Sequence, residues 1–554
     1  MIRPILRCLG FCVVGLVVPL SLLHGQDLTP VIPAPTASQN SSAIKIEKRP
    51  IASTPLEEAQ KLYRMRKFDE AIQQYEAAIA RGTDSAVAYA WLARTYLKEK
   101  RPNDAFSAAV KAVEFNPSLA TAHSALGEVY LRQGKLYEAE KEFLASLKAG
   151  QIDAKAYLGL SRLYHATFNF KRAQESLDKA YALDPQDPDI YSTWIATRSR
   201  SERIQALERS INSTDVDFSR AERSALKHQL TMMKDQEEHP ERICHLANKV
   251  SSSKTTLKPF YPNINSYPSM EVEIQINDQK SLVEIDTRGS EILITGELAK
   301  KAGVQRIAQA DLDDLGDDNP PEGYVGYAKA IRVVGLDFEN CYVSVVDEFS
   351  QHSFLEGQNG LVGTEIFSQF LVDLDIPKAK LELSPLPPRP SASTVQDENQ
   401  AKDGSISQYY DRYVPPEMTT WAQLFRFKNL LLIPTRVNNS NPKLFDIGLA
   451  ATNNFIAPQA ASEVTVVERA PGLKPRGLNG EVRDVFITGA VRLQFGDFYF
   501  DNQSLISFDL TKQSEKEGTE VSGTLGFETL RNLEIKIDYR DGLVFFDNGQ
   551  KRKR

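Results

Sequence analysis

The chain is poor in the residues that metal binding and nucleophilic catalysis most often use, with 7 His and 4 Cys among 554 residues. His239 and His245 lie on either side of Cys244, but no further ligands cluster with them, so we expect no metal. No histidine lies near a GxSxG motif, which argues against a serine hydrolase. The net charge of -7 gives no electrostatic reason to expect nucleic acid as a partner. We expect no cofactor.

Long apolar runs are absent after the first 25 residues or so. At the N-terminus, Arg3 and Arg7 precede the apolar run LGFCVVGLVVPLSLL, and Gly25 offers a small residue for cleavage. This order is typical of a signal peptide, which we place at 1–25. A retained membrane anchor is the alternative, but the run is shorter than the ~20 residues that a spanning helix needs. We therefore expect export to the periplasm or the medium, with no membrane span in the mature chain.

Two cysteines, Cys244 and Cys341, remain after the signal peptide. In an oxidising compartment they could pair, but two cysteines in so long a chain do not form a disulfide framework. Cys341 lies in the strand-like run FENCYVSVV, which favours a buried core thiol. The sequence leaves both possibilities open.

Helical patterning with a fixed period follows a linker rich in Pro, Ser and Thr. Small residues recur every 34 positions, at Ala71, Ala105, Ala139 and Ala173. Large residues keep the same register, with Leu at 92, 126 and 160 and Tyr at 96, 130 and 164. Small residues allow two antiparallel helices to approach closely, and large ones fill the space between them. The pattern resembles the tetratricopeptide repeat, which implies an α-solenoid whose concave face holds a protein or peptide.

From about residue 256 the hydrophobic period changes from 3.6 to 2, as in EVEIQIN and KSLVEID, which predicts strands. A second, similar set of strands follows the Pro/Ser-rich stretch after residue 386. The two sets match in order, and the spacing from Gly363 to Asp375 equals that from Gly526 to Asp538. The sequence therefore predicts a duplicated β-domain.

Each set contains an Asp at the end of an apolar strand, in IDTRGS at Asp286 and in FDIGLA at Asp446. The order of strand, Asp-Thr-Gly-like turn, short strand, helix, hairpin and Gly-containing strand resembles the retropepsin-like lobes of bacterial aspartyl proteases. That resemblance implies a dyad of Asp286 and Asp446 that shares a proton and activates water, without metal or cofactor. Thr287 and Gly448 are then the supporting turn residues.

Both turns depart from the family pattern, in which Asp is followed by Thr and Gly. Arg288 stands where the first Gly is expected, and Ile447 stands where the second Thr is expected. An Arg beside Asp286 opposes the shared-proton state, and Ile447 cannot donate a hydrogen bond across the lobes. The flap-like hairpins, with Gly323, Gly326, Gly477 and Gly480, are equally consistent with ordinary tight turns.

The sequence thus predicts an exported multidomain α + β protein, with an N-terminal α-solenoid followed by two β-rich, acid-protease-like lobes. We expect it to bind protein through the concave solenoid face and extended peptide between the lobes, with degenerate or weak catalysis. The alternative is an active intramolecular aspartic endopeptidase. The predicted order is signal peptide 1–25, linker 26–51, repeats 52–200, helical cap or connector 201–255, first lobe 256–386, linker 387–416 and second lobe 417–549.

Overall fold

The computed structural model describes residues 54–82, 85–150, 152–213, 218–261, 269–288, 292–311, 322–347, 357–390, 410–428, 430–476 and 481–549. The predicted signal peptide and the linker 26–51 lie outside these residues, as does most of the predicted linker 387–416. Among the described residues, no helix has the length and apolar character needed to cross a membrane.

Helices make up the N-terminal region and pack as successive antiparallel pairs. They are α1 Pro55–Arg64, α2 Phe68–Ala80, α3 Ser85–Lys98, α4 Pro102–Phe115, α5 Ala120–Arg132, α6 Leu136–Lys148, α7 Ala154–Ala166, α8 Phe170–Leu183, α9 Pro188–Ile195, α10 Arg200–Asn212 and α11 Arg220–Glu238. The predicted small positions lie between the helices, because Ala71, Ala105 and Ala139 are completely buried. Gly127 leaves room for the ring of Phe143, which a Cβ would approach to 2.7 Å.

Close packing at these positions predicts that Ala139→Leu will lower the free energy of unfolding by about 1–3 kcal/mol, because added methyl groups overpack the helix contact. Thermal unfolding followed by circular dichroism will measure this. The matched control is Lys141→Leu, on the exposed face of the same helix. Equal melting temperatures for the two variants would contradict the assigned register.

The first β-rich lobe is a nine-stranded, barrel-like sheet. Its strands are β1 His245–Leu246, β3 Lys258–Phe260, β4 Ser269–Ile276, β5 Gln279–Asp286, β6 Ile292–Thr295, β7 Gln305–Asp311, β8 Glu322–Val333, β9 Leu336–Val346 and β10 Gly360–Gly363. Helix α12 Gly296–Lys301 follows β6. The alternating sequence buries Val272, Ile274 and Ile276 of β4 and leaves Glu273 exposed. Strand β9 pairs with both β8 and β6, which closes the sheet.

The second lobe repeats this order in a ten-stranded sheet. Its strands are β14 Phe425–Phe427, β15 Leu430–Val437, β16 Lys443–Gly448, β17 Phe455–Ile456, β18 Val467–Arg469, β19 Phe486–Thr488, β20 Val491–Phe495, β21 Phe498–Asn502, β22 Ile506–Ser507 and β23 Gly523–Gly526, with β18 and β21 at its ends. Helices α13 Pro458–Ser462, α14 Thr511–Glu517 and α15 Phe527–Leu530 lie between strands, and short 3₁₀ turns span Thr364–Phe367 and Pro416–Met418.

A third sheet of six strands joins the two lobes. It contains β2 Ser253–Thr256, β11 Phe370–Asp375, β12 Lys380–Pro385, β13 Ala422–Gln423, β24 Glu534–Asp538 and β25 Leu543–Asp547. Strand β11 of the first lobe pairs antiparallel with β24 of the second, with Val372 opposite Ile537 and Leu374 opposite Ile535. All four side chains are buried. Backbone hydrogen bonds and apolar packing therefore hold the lobes together.

The connector predicted as helical over 201–255 is helical only as far as Glu238. Strands β1 and β2 follow within it, and they join the first-lobe sheet and the inter-lobe sheet. These segments are too short and too polar to give a strand signal of their own. A disulfide between Cys244 and Cys341 fixes β1 beside β9, so Cys341 is a bonded cysteine rather than a free core thiol.

The solenoid docks on the second lobe through the turn between α7 and α8. Phe168 in this turn is completely buried, and a Cβ at Gly542 would lie 2.3 Å from its ring. The guanidinium groups of Arg412 and Arg426 lie 5.2 and 5.4 Å from the ring centroid. Arg426 also forms an ion pair of 2.6 Å with Glu365 of the first lobe. The solenoid and both lobes therefore meet around Phe168.

Candidate functional site

The turn after β5 lies at the boundary between the two lobes. Asp286, Thr287 and Arg288 are 2%, 3% and 8% exposed. Asp446, in the middle of β16 of the other lobe, is completely buried. The sequence-predicted acids are thus brought to the same region, and both are shielded from water.

Arg288 lies between these two acids. Its Nε and Nη2 atoms are each 2.7 Å from Oδ2 of Asp286, and its Nη1 atom is 3.9 Å from Oδ2 of Asp446. Both nitrogen atoms thus converge on one carboxylate oxygen, and such charge-assisted hydrogen bonds are stronger than bonds between neutral groups. Arg288 therefore occupies the space between the acids with a positive charge.

Thr287 braces the lobes from one side. Its hydroxyl donates to the carbonyl oxygen of Ile447 at 2.6 Å and accepts from the amide of Leu449 at 3.3 Å. The amide of Ala450 donates to Oδ1 of Asp286 at 3.3 Å. Backbone groups of the second lobe thus bind the first-lobe turn, and the supporting catalytic role of Thr287 stays a prediction.

The strand registers show which residues are equivalent in the two lobes. Asp286 lies opposite Gly363, the last residue of the strand GLVG. The last residue of the matching strand GTLG, Gly526, lies opposite Gly448, while Asp446 lies opposite Thr524. Position 448, not 446, is therefore the counterpart of Asp286.

The sequence match that paired Asp286 with Asp446 is wrong by two residues. The neighbouring strands agree with the corrected match. Leu293 lies opposite Leu361 of GLVG, and Phe455 lies opposite Thr524 at the same position of GTLG. Leu293 therefore matches Phe455, and these two residues follow Asp286 and Gly448 at equal distances along the chain. The sequence alone favours aligning Asp286 with Asp446, because the residues are identical. The pairing of the strands shows a different register. By this register Asp446 corresponds to Glu284. The catalytic role assigned to Asp286 and Asp446 stays a prediction.

Arg288 also fills the space beside Gly448. A Cβ at Gly448 would lie 3.1 Å from Nε and 3.3 Å from Cζ of Arg288, closer than most such contacts allow. The arginine of one lobe and the glycine of the other are therefore complementary in shape. Sequence reasoning noted each residue separately and missed that they form a pair.

Charge and burial compete at Asp446. Burial raises the pKa of Asp446 from 3.8 to about 6, and Arg288 opposes part of that rise. Burial alone would lower the pKa of Arg288, but Asp286 and Asp446 outweigh it and raise the pKa. Arg288 is thus charged at every accessible pH, whereas Asp446 gains a proton in mildly acidic solution.

We expect Asp446→Asn to raise the free energy of unfolding by up to about 3 kcal/mol at pH 7.5, since each pKa unit is worth ~1.36 kcal/mol. A raised acid pKa means that the folded state binds the proton more tightly. The gain should therefore be absent below pH 3.8, grow between pH 3.8 and about 6, and stay constant above that. Urea unfolding across this range will measure it, with exposed Asp484→Asn as the control. A gain that does not depend on pH would contradict the assignment.

Two other features considered in the sequence are a metal site and the flap-like hairpins. In the part of the chain that the structure describes, no three or more His, Cys, Asp and Glu side chains group as metal ligands. Gly323 and Gly326 lie in β8, while Gly477 and Gly480 lie outside the described residues. The hairpin tips that would cover an inter-lobe cleft are thus not described.

The inner side of the solenoid is crossed by ion pairs. In α9, Asp189 accepts from the hydroxyl of Tyr63 in α1 at 3.2 Å and from Lys98 in α3 at 2.5 Å. Lys155 in α7 lies 2.8 Å from Asp187 and 2.9 Å from Asp189. Tyr63, Lys155 and Asp187 are at most 4% exposed. These side-chain contacts therefore link α1, α3, α7 and α9 to one another.

Comparison with known proteins concerns the helical region. The tetratricopeptide-repeat family model matches residues 56–123 and 124–188. Among solved structures, a thermophilic tetratricopeptide-repeat protein of Thermus thermophilus is 21% identical, covering 32% of this chain and 97% of that one, with a TM-score of 0.25. No curated protein matches the chain. The family match shows that tetratricopeptide repeats form the N-terminal region, which supports a protein-binding module. A β-rich region with barrel-like sheets follows them.

Proposed function

We propose that this chain is a binding protein that combines a tetratricopeptide module with a non-catalytic, retropepsin-like pair of lobes. The observation that carries the proposal is the guanidinium of Arg288, which lies between Asp286 and Asp446. An aspartic dyad works because two adjacent carboxylates share one proton and hold a water molecule. The Arg288 guanidinium occupies the space that the shared proton and the water would need.

The equivalence of Asp286 and Gly448 supports the same conclusion. A retropepsin-like site needs one acid from each lobe at equivalent positions, and here the second position has no side chain. Arg288 fills the space that an acid at 448 would need. Gly448 and Arg288 are therefore complementary, and Arg288 forms a structural ion pair with Asp286 where a retropepsin-like site would hold two acids.

The proposed ligands are an extended polypeptide between the lobes and a protein partner of the solenoid. Retropepsin-like lobes hold peptide in an extended form, and the shared six-stranded sheet keeps the two lobes at a fixed separation. The disulfide between Cys244 and Cys341 supports residence in an oxidising compartment, in keeping with the proposed export.

Incubation with denatured casein between about pH 4 and pH 7, with and without pepstatin, tests the proposal. We expect the wild type to retain casein in pull-down without cutting it. Acid-optimum cleavage that pepstatin blocks and Asp286→Asn abolishes would overturn the proposal in favour of an active endopeptidase. Circular dichroism of each variant will establish that it is folded.

Two repaired variants make the test sharper. The register predicts that Arg288→Gly, Gly448→Asp and Leu449→Thr together rebuild the pair and produce acid proteolysis. The matched control, Arg288→Gly with Ile447→Thr, follows the sequence match instead and should stay inactive. Activity in the control alone would show that Asp446 is the second acid after all.

A further inference from the structure

Strand β21 forms one end of the second-lobe sheet. Among the described residues it pairs with β20 and with no other strand. Tyr499, its second residue, is 66% exposed, and the side chain of Asp501 is 61% exposed. An exposed strand edge offers backbone donors and acceptors to another extended chain.

The backbone groups of Tyr499 and Asp501 point away from β20. Arg492, opposite Asp501, uses its own carbonyl to accept from the amide of Asn438 at 2.7 Å and its own amide to donate to Oδ1 of Asn438 at 2.9 Å. The backbone groups of Arg492 and Asp501 are therefore not bonded to each other, although the Arg492 guanidinium donates to both carboxylate oxygens of Asp501 at 2.6 and 2.9 Å. Because bonded and non-bonded pairs alternate in antiparallel sheets, Tyr499 has the same outward orientation.

The first lobe has an equivalent strand edge on β9, and there another strand pairs with it. The two-residue hairpin that closes with Val333 opposite Leu336 matches the one that closes with Phe495 opposite Phe498. In the first lobe, β1 adds to the outer edge of β9. The edge of β9 that corresponds to β21 is thus already occupied by an extended segment.

The contacts of that segment indicate what the edge recognises. The amide of Ala247 donates to the carbonyl of Asp337 at 2.7 Å, and the amide of Asp337 donates to Oδ1 of Asn248 at 3.0 Å. His245 lies opposite Glu339, with 4.0 Å between Nε2 and Oε2. The occupant is therefore an antiparallel strand that the edge holds through backbone groups and the side chain of Asn248.

We infer that the β21 edge binds an extended segment of a partner protein as an added antiparallel strand, as β1 binds β9. Asp501 takes the position of Glu339, but Arg492 already donates to its carboxylate at 2.6 and 2.9 Å, so the outward backbone groups receive the ligand. Tyr499, with the Arg492 guanidinium 5.1 Å from its ring centroid, provides an aromatic surface for the side chains of the ligand. The matching edge of β9 is covered by a separate segment and not by a copy of itself, which favours a partner's extended segment over a second copy.

A fluorescein-labelled peptide with the sequence of residues 242–250, carrying Ser in place of Cys244, is a suitable probe because it copies the known occupant. We expect saturable binding to the whole protein by fluorescence anisotropy, with slower hydrogen exchange at the amides of Tyr499 and Asp501. Tyr499→Pro removes one outward amide without disturbing the bonds to β20, and should weaken binding at least tenfold.

Tyr499→Ala is the matched control, because it removes the ring and keeps the amide. It should weaken binding less than about threefold if backbone pairing dominates, since main-chain bonds give affinity in strand addition. No saturable binding at millimolar peptide, or equal binding by the proline variant, would overturn the inference. So would a dimer in sedimentation that Tyr499→Pro dissociates, since the edge would then be an interface between copies.

Discussion

Replacing Arg288 by methionine will lower the free energy of unfolding by about 3–5 kcal/mol at neutral pH, because it leaves buried carboxylates without their counter-charge. Asp286 and Asp446 are 2% and 0% exposed, so water cannot replace the guanidinium. Methionine keeps much of the apolar stem, which limits the change to the charge and its hydrogen bonds. Urea unfolding at pH 7.5 will measure the loss.

A second substitution separates charge from packing. Asp446→Asn in the Arg288→Met background should recover part of the loss, because it removes one of the two uncompensated charges. Arg469→Met is the surface control. Arg469 pairs with Asp484 at 2.8 Å, but both side chains are more than 70% exposed, and such pairs contribute little. If Arg288→Met costs no more than Arg469→Met, the ion pair does not hold the lobe interface.

Truncating Phe168 to alanine will cost about 3–5 kcal/mol, since a fully buried aromatic side chain leaves a large cavity. The ring packs edge-on against Phe170 with centroids 5.7 Å apart and lies beneath Arg412 and Arg426. It belongs to the joint between the solenoid and the lobes. We therefore expect thermal unfolding by calorimetry to change from one transition to two.

The control for this prediction is Phe115→Ala, in the same solenoid. Phe115 is 61% exposed, so its removal should change the melting temperature little and leave a single transition. If Phe168→Ala also unfolds in a single, slightly shifted transition, the joint is not what couples the solenoid to the lobes.

The parts of the fold with a long periodic signal were predictable. Four copies of a 34-residue period place Ala105 and Ala139 between helices, and the change to a period of 2 marks the lobes. Short segments were not, because β1 and β2 have two and four residues and form only by pairing with distant strands. The disulfide stayed open for the same reason, since spacing along the chain does not place Cys244 beside Cys341.

The candidate site was only half predictable. The sequence located both acids and identified Arg288 and Ile447 as departures from the family pattern. It could not fix the register of β16 against β23, because FDIG offers an Asp two residues before the equivalent position, and identity draws the alignment to it. The pairing of Gly448 with Gly526, together with the pairing of the neighbouring strands, decides between the two alignments. That difference changes which residue a repair must replace.

The contacts between the first and last helices of the solenoid have a consequence for how it unfolds. A linear array of repeats is stabilised by nearest neighbours, so it can fray from either end. Here Tyr63 is held by Asp189, 126 residues further along the chain, and Arg66 pairs with Glu222 at the start of α11. These contacts attach the first helical pair of the solenoid to its last helices. We expect its loss of structure to be all-or-none, with a nucleus that must bring distant parts of the chain together, and hence a slower folding rate than an open array of the same length.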